Sequence, residues 1–141
     1  MDAKLRILIA DDNPAMLNTV KDMLRNEFHV VAALEEPRAV LTAVPEQKPD
    51  VVVLDVSMGE MNGFEVSRLL KGESCTSKII FLTVHEELEF IRAAFAAGAS
   101  GYVFKSRMST DLCTAINTVH DGKVFIPEAP IHPYGFDAEM P

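Results

Sequence analysis

Short, nearly continuous apolar runs recur along the chain, separated by longer segments in which apolar residues repeat with a helical period. The runs occupy residues 5–10, 29–33, 51–54, 79–82 and 101–104. Each run is too short for a typical helix, and several are rich in β-branched residues, so the pattern predicts five β-strands. Because the runs are apolar at most positions rather than at every second one, both faces of each strand should be covered. The pattern therefore predicts a parallel sheet with helices on each side.

The segments between the runs carry helical signals. In the first of them, Asn13 can cap a helix that begins at Pro14, and Leu17, Val20 and Leu24 recur at three- and four-residue steps. This spacing forms one apolar stripe, which we expect to pack against the sheet. Similar patterns predict four further helices over residues 37–44, 63–70, 86–97 and 109–120.

The alternation of five strands with five helices defines the fold class. It predicts an α/β fold in which a single doubly wound, five-stranded parallel sheet has right-handed crossovers and helices on both faces. We expect residues 1–122 to form this single domain. Residues 123–141 contain half of the eight prolines and no periodic apolar stripe. They predict a proline-rich tail or linker, with no output domain.

Composition limits the partners of the chain. Its 141 residues carry 21 acidic and 13 basic side chains, for a formal net charge of -8, and this length is typical of one domain. Because nucleic acids and anionic membranes are bound through clustered lysine and arginine, the acidic excess argues against either as a partner of this chain. The sequence has no signal-peptide pattern and no apolar run long enough to cross a bilayer, so we expect a cytoplasmic location.

The residues that follow four of the five strands are the candidates for chemistry. Asp11 and Asp12 follow the first strand, Asp55 the third, Thr83 the fourth and Lys105 the fifth. Ligands of an open parallel sheet bind beyond the carboxyl ends of its strands, which is the edge that these residues share. Three carboxylates at one edge repel each other unless a cation lies among them, and Mg²⁺ prefers oxygen ligands of this kind. We therefore predict a Mg²⁺ site formed by the aspartates.

The same edge has the groups that phosphoryl transfer requires. A divalent cation and the Lys105 ammonium can together neutralise the oxygens of a phosphoryl group, and the Thr83 hydroxyl can donate to a further oxygen. Asp55 ends the most apolar strand, and a carboxylate can act as a nucleophile that forms an acyl phosphate. The residues thus predict Asp55 as the phosphoryl acceptor.

Four motifs give the chain a family resemblance. They are Ile-Leu-Ile-Ala-Asp-Asp-Asn at residues 7–13, Val-Leu-Asp-Val-Ser-Met at residues 53–58 followed by Asn62-Gly63, Phe-Leu-Thr at residues 81–83 and Gly-Tyr-Val-Phe-Lys at residues 101–105. With these motifs, residues 4 to 122 resemble a two-component response regulator receiver domain. The pattern of apolar residues, glycine and proline over residues 112–127 is similar to that of the NarL/FixJ (LuxR-type) class. The resemblance implies a CheY-like, flavodoxin-like sheet with the strand order 2-1-3-4-5.

The resemblance also implies roles for individual residues. Asp55 would accept a phosphoryl group from a phosphohistidine of a sensor histidine kinase, and Lys105 would pair with the phosphoryl oxygens. Mg²⁺ would be bound by Asp12 and Asp55, by Asp11 through water, and by the backbone carbonyl of Ser57.

A threonine and an aromatic residue form a conformational switch in this family, and Thr83 and Tyr102 occupy the two positions. The Thr83 hydroxyl would move to the phosphoryl group, and the Tyr102 ring would fill the space that it leaves. This movement would change the surface formed by the fourth helix, the fifth strand and the fifth helix. We expect the change to control contact with a partner or formation of a homodimer.

The resemblance also draws attention to four other positions, of which two depart from the family pattern. Ser57 and His85 lie two residues after the acceptor and two after the switch threonine, where the family tunes the lifetime of the acyl phosphate. Gly59 stands where many receivers have proline, and it predicts a more mobile loop. Ser106 follows the site lysine where many relatives have a cis-proline, and the sequence leaves open whether this peptide bond is cis or trans.

Receivers of this class are normally followed by a helix-turn-helix domain that binds DNA. Residues 129–141 are too few to form such a domain and contain neither lysine nor arginine. We favour the interpretation that the chain is the front half of a DNA-binding transcriptional regulator. The alternative is a stand-alone receiver that acts through protein contacts.

Three other functions fit the residues less well. An aspartate-nucleophile phosphohydrolase also uses Mg²⁺, a lysine and a hydroxyl, but it has a second aspartate two residues after the first, a spacing that residues 11–13 lack. A flavin-binding module needs a phosphate loop rich in serine, threonine and glycine after the first strand. A pseudo-receiver that acts only as a scaffold has no need of the intact acidic set. We therefore expect a signalling protein rather than an enzyme.

Overall fold

Five parallel strands alternate with five helices over residues 4–128, the part of the chain that the computed structural model describes. The strands are β1 (Arg6–Ala10), β2 (His29–Leu34), β3 (Val51–Leu54), β4 (Lys78–Thr83) and β5 (Gly101–Phe104). The helices are α1 (Pro14–Leu24), α2 (Pro37–Gln47), α3 (Gly63–Gly72), α4 (Leu88–Ala96) and α5 (Met108–His120). None of these helices, within the described residues, is long and apolar enough to span a membrane.

The strands lie in the order β2-β1-β3-β4-β5, and every neighbouring pair is parallel. This arrangement confirms the predicted α/β class and the order 2-1-3-4-5. Each residue of the central strand β3 is buried, as its unbroken run of valine and leucine predicts. Helices α1 and α5 cover one face of the sheet, and α2, α3 and α4 cover the other, so that an apolar core lies on each face.

α2, α3, α4 and α5 each differ by one to three residues from a predicted bound, and two of these differences have a local reason. α2 continues three residues beyond the predicted end at residue 44, although Pro45 has no backbone N–H to donate. The Lys48 N–H still donates to the Val44 carbonyl at 2.8 Å, and Lys48 then ends the helix in the left-handed conformation with φ 47°. α4 begins at Leu88 rather than at residue 86, because hydrogen bonds to side chains of β4 and β5 hold the backbone of His85 outside the helix.

The chain still contacts the sheet after residue 122, where the sequence pattern predicted the end of the domain. The Phe125 N–H donates to the Ser100 carbonyl at 3.0 Å, and the Phe125 carbonyl accepts from the Tyr102 N–H at 3.1 Å. β5 is an edge strand of the sheet, so its outer backbone groups are available for this pairing. A single paired residue has no periodic pattern by which the sequence could reveal it. Residues 129–141 of the predicted tail lie outside the described part of the chain.

The loop after β3 is held close to the sheet by the start of α3. The Gly63 N–H donates to the Val56 carbonyl at 2.8 Å. Asn62 caps the helix, because its side chain accepts from the Glu65 N–H at 3.0 Å while the Glu65 carboxylate accepts from the Asn62 N–H at 3.2 Å. The capping box therefore fixes the path of the chain directly behind Asp55.

Gly63 is required by this close approach, and its replacement gives a testable prediction. A Cβ atom here would collide with the backbone carbonyl oxygen of Asp55 and would lie 2.8 Å from Phe81 Cε1. We expect Gly63→Ala to lower the free energy of unfolding by about 1 to 3 kcal/mol, as overpacking does, in urea denaturation. Gly72→Ala is the control in the same helix, since a Cβ there meets nothing within 4 Å. Equal stability of the two variants would contradict the prediction.

Candidate functional site

Three aspartates form a cluster at the carboxyl ends of β1 and β3. Asp11 and Asp12 directly follow β1, and Asp55 directly follows β3, the neighbouring strand. The Asp55 N–H donates to the Ala10 carbonyl at 3.1 Å, which holds the two strand ends in register. Carboxylate oxygens of the three residues lie within 4.8 Å of one another. Asp11 and Asp55 are buried and Asp12 is exposed, so the cluster opens to solvent on one side.

Lys105 reaches this cluster from the end of β5, across the end of β4. Its Nζ atom lies 2.8 Å from Asp11 Oδ2 and 2.9 Å from Asp55 Oδ2. Burial by itself would lower the pKa of Lys105, but the hydrogen bonds to the two carboxylates outweigh it and raise the pKa above its usual value. The side chain is therefore a charged ammonium fixed between the first and third strands.

The charge of the cluster is not fully balanced by this lysine. Burial raises the pKa of Asp11 above its usual value, although hydrogen bonds from Lys105 and from the Asn13 N–H, at 2.9 Å, act in the opposite direction. The nearby Asp55 carboxylate raises the pKa of Asp11 further. The pKa values of Lys105 and Asp11 both rise because the lysine gains two anionic partners, whereas Asp11 is buried beside another anion. One further cation would relieve this repulsion.

The donor set of the cluster fits Mg²⁺. All three side chains offer carboxylate oxygens, and the exposed position of Asp12 leaves room for the water molecules that Mg²⁺ usually retains. Ser57 lies in the exposed loop beyond Asp55, and its N–H is 3.4 Å from Asp55 Oδ1. The predicted contribution of its backbone carbonyl would therefore come from a loop that lies next to Asp55.

Thr83 and Tyr102 lie next to this site on β4 and β5. Both side chains are fully buried. Thr83 Oγ1 accepts from the His85 N–H at 3.4 Å, and the Tyr102 hydroxyl donates to the His85 carbonyl at 2.8 Å. Burial, followed by the nearby carboxylates of Glu87 and Asp55, raises the pKa of Tyr102. The side chain is therefore a neutral phenol whose ring lies inward, and it is joined to Thr83 through one loop residue, His85.

Comparison with known proteins decides the family. The response regulator receiver domain family matches residues 7–117 of this chain, a range that includes the three aspartates, Thr83, Tyr102 and Lys105. The chain belongs to this family. The expected resemblance to receivers of the NarL and LuxR type is confirmed by the relatives of this receiver.

Two curated relatives and one solved structure illustrate the similarity. The receiver is 29% identical over 131 residues to the nitrate/nitrite response regulator protein homolog of Haemophilus influenzae, covering 92% of this chain and 63% of that protein. It is 31% identical over 125 residues to the transcriptional regulatory protein DegU of Brevibacillus brevis, covering 87% of this chain and 53% of that protein. The crystal structure of a LuxR-family two-component response regulator from Aurantimonas sp. SI85-9A1 superposes with a TM-score of 0.83, at 30% identity, over 87% of this chain and 89% of that one. The receiver thus spans about half to two thirds of the length of these curated relatives.

His85 connects Thr83 and Tyr102, the residues predicted to form the switch, to α4. Its ring stacks on Phe90, with centroids 4.2 Å apart and planes 6° from parallel. Its Nδ1 atom lies 3.8 Å from Glu87 Oε1, and 29% of the side chain is exposed. His85 is thus a half-buried residue whose backbone contacts both Thr83 and Tyr102. Its predicted effect on the lifetime of an acyl phosphate would act from this position.

The two departures from the family pattern have clear local structures. Gly59 has φ 80°, a backbone conformation that proline cannot adopt because its ring fixes φ near about −65°. No cis peptide bond occurs in residues 4–128, so the bond between Lys105 and Ser106 is trans. The Ser106 hydroxyl donates to Glu86 Oε2 at 2.9 Å. This bond joins the loops after β4 and β5, a contact that proline could not make.

Several residues around the receiver's site were not identified from the sequence. Sequence reasoning assigned no site role to Asn13 beyond helix capping, to Glu86, to Phe90 or to Phe125. Asn13 could have been found, because it directly follows the two aspartates in the sequence, and its N–H donates to Asp11 Oδ1 at 2.9 Å. The other three act through partners that are distant in sequence, and no local pattern marks them.

Proposed function

We propose that Asp55 of this receiver accepts a phosphoryl group from a phosphohistidine of a sensor histidine kinase. The observation that carries the proposal is the Lys105 ammonium, which contacts Asp11 at 2.8 Å and Asp55 at 2.9 Å in a site with a third carboxylate. A structural ion pair needs one carboxylate rather than three. An excess of negative charge around a fixed ammonium is expected of a site that also binds a metal ion and a phosphoryl group.

The transfer uses groups that the fold already holds in position. A carboxylate oxygen of Asp55 attacks phosphorus, and the new O–P bond forms as the N–P bond of the phosphohistidine breaks. The imidazole leaves with the electron pair of that bond. The Lys105 ammonium stabilises the negative charge of the phosphoryl oxygens, and the Thr83 hydroxyl donates to one of them. Because Lys105 is charged and held in place before the reaction, little reorganisation is required.

The proposed cofactor is Mg²⁺, which Asp11, Asp12, Asp55 and the backbone carbonyl of Ser57 would hold. When bound, the ion supplies positive charge that offsets the charge of the phosphoryl oxygens. The raised pKa of Asp11 supports this assignment, because it reflects a buried carboxylate whose negative charge lacks full compensation. Exposure of Asp12 supports it too, since a hydrated ion can reach the cluster from that side.

The proposed output is a change of the surface near α4, β5 and α5. When the Thr83 hydroxyl turns to the phosphoryl group, the hydrogen bond from the His85 N–H to its oxygen is lost or rearranged. The Tyr102 hydroxyl is bonded to the same residue, so ring and loop respond together. We infer that this change controls homodimer formation or contact with a partner protein. Ser57 and His85 then set how long the phosphoryl group persists.

The relatives support a role in transcriptional regulation. DegU of Brevibacillus brevis is named a transcriptional regulatory protein, and the receiver covers 53% of its length. We propose that DNA binding belongs to a part of such a regulator outside the receiver. This agrees with the net charge of -8 of the chain, which disfavours contact with DNA phosphates. The cytoplasm is the location that we propose, since kinase and DNA are both available there.

Phosphorylation by a small donor tests the proposed chemistry. With acetyl phosphate and Mg²⁺, we expect the intact mass of the chain to increase by one phosphoryl group, and we expect EDTA to prevent the increase. A parallel sample with Ca²⁺ in place of Mg²⁺ tests whether divalent charge alone is enough for phosphorylation. A chain that gains no phosphoryl group would contradict the proposal. Sustained turnover of a phosphomonoester would favour the phosphohydrolase instead.

A further inference from the structure

The chain that leaves α5 pairs with the strand that carries the switch tyrosine. We call residues 123–127 the exit segment. Within it, Phe125 forms a parallel β-bridge with Gly101. Its N–H donates to the Ser100 carbonyl at 3.0 Å, and its carbonyl accepts from the Tyr102 N–H at 3.1 Å. The exit segment therefore extends the sheet beyond β5 by one paired residue.

The Phe125 side chain secures this pairing. It packs against the core formed by α1, α5 and one face of the sheet. Gly101, its bridge partner, lies directly beside it, since a Cβ at Gly101 would be 3.5 Å from Phe125 Cβ, an ordinary contact distance. One aromatic side chain and two backbone hydrogen bonds thus hold the exit segment at β5.

The residues on either side of Phe125 contribute little to this attachment. Val124 is 56% exposed and Ile126 is 64% exposed. Pro127, two residues on, is buried and so adds apolar contact, but it has no backbone N–H with which to add a hydrogen bond. An element with few buried apolar contacts and few hydrogen bonds opens at a small fraction of the global free energy of unfolding. A small change in free energy is therefore enough to shift the exit segment towards either the paired or the released state.

Tyr102 links this attachment to the switch. Its hydroxyl donates to the His85 carbonyl at 2.8 Å on one side of β5, and its N–H donates to Phe125 at the outer edge. We propose that the position of the Tyr102 ring controls how firmly the exit segment is attached to β5. The segment stays paired with β5 when the ring is held inward, and it is released more often when the ring is free to move.

This inference rests on the proposed function, because it requires that a phosphoryl group on Asp55 biases the position of Tyr102. It adds a path of contacts by which a change in the position of Tyr102 reaches the exit segment and the chain that follows it. The paired exit segment and the inward ring occur together in this structure, so a ligand that stabilises the inward ring should also stabilise the pairing. Coupling of this kind is reciprocal, so that loss of the pairing must weaken binding of the ligand by the same factor.

Amide hydrogen exchange on the intact chain tests the forward direction. Exchange at Phe125 and Tyr102 is measured by NMR without ligand and with saturating beryllofluoride and Mg²⁺, which mimic the phosphoryl group. We expect beryllofluoride to slow exchange at both amides by about fivefold or more, the lower end of typical coupling. Val53, at the centre of the sheet, serves as the reference amide. Unchanged exchange at Phe125 with beryllofluoride bound would overturn the inference.

A pair of variants tests the reverse direction. Phe125→Ala removes the side chain that secures the exit segment, and we expect it to weaken beryllofluoride binding by the same factor that the ligand slows exchange. Ile126→Ala changes an exposed neighbour and should bind beryllofluoride as the unmodified chain does. Equal affinity of both variants would overturn the inference, and if Phe125→Ala does not fold, the exchange measurement decides alone. Failure of beryllofluoride to bind at all would instead overturn the proposed function, and this inference with it.

Discussion

Replacement of Asp55 by asparagine should abolish the phosphoryl adduct formed with acetyl phosphate and Mg²⁺ while leaving the domain folded. An amide oxygen is a poor nucleophile and cannot form a stable acyl phosphate, although the side chain has nearly the same size. The Lys105 ammonium would keep its contact with Asp11 at 2.8 Å, so the site should not collapse. Intact mass spectrometry measures the adduct, and thermal unfolding measures the stability.

Asp50 provides a matched control for this variant. It precedes β3 as Asp55 follows it, and its Oδ2 atom accepts from the Arg6 N–H at 2.8 Å. Asp50→Asn should therefore reduce stability modestly, by about 1 kcal/mol, but leave the yield of the adduct unchanged. An adduct that persists in full in Asp55→Asn would show that another residue accepts the phosphoryl group.

Replacement of Lys105 by methionine should have two large effects. Methionine keeps much of the apolar stem and removes the charge, so Asp11 and Asp55 lose the ammonium at 2.8 and 2.9 Å. Loss of a preorganised charge at a reacting group typically slows a reaction about 10² to 10³-fold, and we expect that decrease in the rate of phosphorylation. Removal of one partner from a buried ion pair costs about 3 kcal/mol or more, which we expect as the loss in free energy of unfolding without divalent ions.

Mg²⁺ should recover part of the stability lost in Lys105→Met. The three carboxylates lie within 4.8 Å of one another, and without the lysine a bound cation is their main source of compensating charge. Urea denaturation with EDTA and with Mg²⁺ measures this, and Mg²⁺ should stabilise the variant more than the unmodified chain. Lys123→Met, at an exposed position, is the control and should behave as the unmodified chain. A Mg²⁺ effect no larger in Lys105→Met than in the control would contradict the assignment of these carboxylates to the metal.

Strands and helices were largely predictable because their signals are local. The runs at residues 51–54 and 101–104 match β3 and β5, since a strand covered on both faces must be apolar at nearly every position. Asn13 and Pro14 marked the start of α1 for an equally local reason, the unsatisfied N–H groups of a first helical turn. The start of α4 was two residues wrong, because bonds from β4 and β5 to His85 compete with the helix.

The residues of the candidate site were predictable as a set, but their contacts were not. Asp11, Asp55 and Lys105 could be assigned to one edge of the sheet, because the carboxyl ends of parallel strands meet there. Whether Lys105 contacts one aspartate or both depends on the reach of its side chain across the end of β4. The link between Ser106 and Glu86, at 2.9 Å, spans twenty residues of sequence, and no local pattern could reveal it.

Residue type and spacing within single strands and helices were enough to predict the fold class, most of the element bounds and the chemical groups at the strand ends. Three contacts follow only from the folded chain: Lys105 bridges two carboxylates, the Tyr102 hydroxyl donates to the His85 carbonyl with the ring inward, and Phe125 pairs with β5. These contacts join residues that are distant in sequence. They depend on the packing of neighbouring strands and on the length of each side chain, which only the assembled sheet brings together.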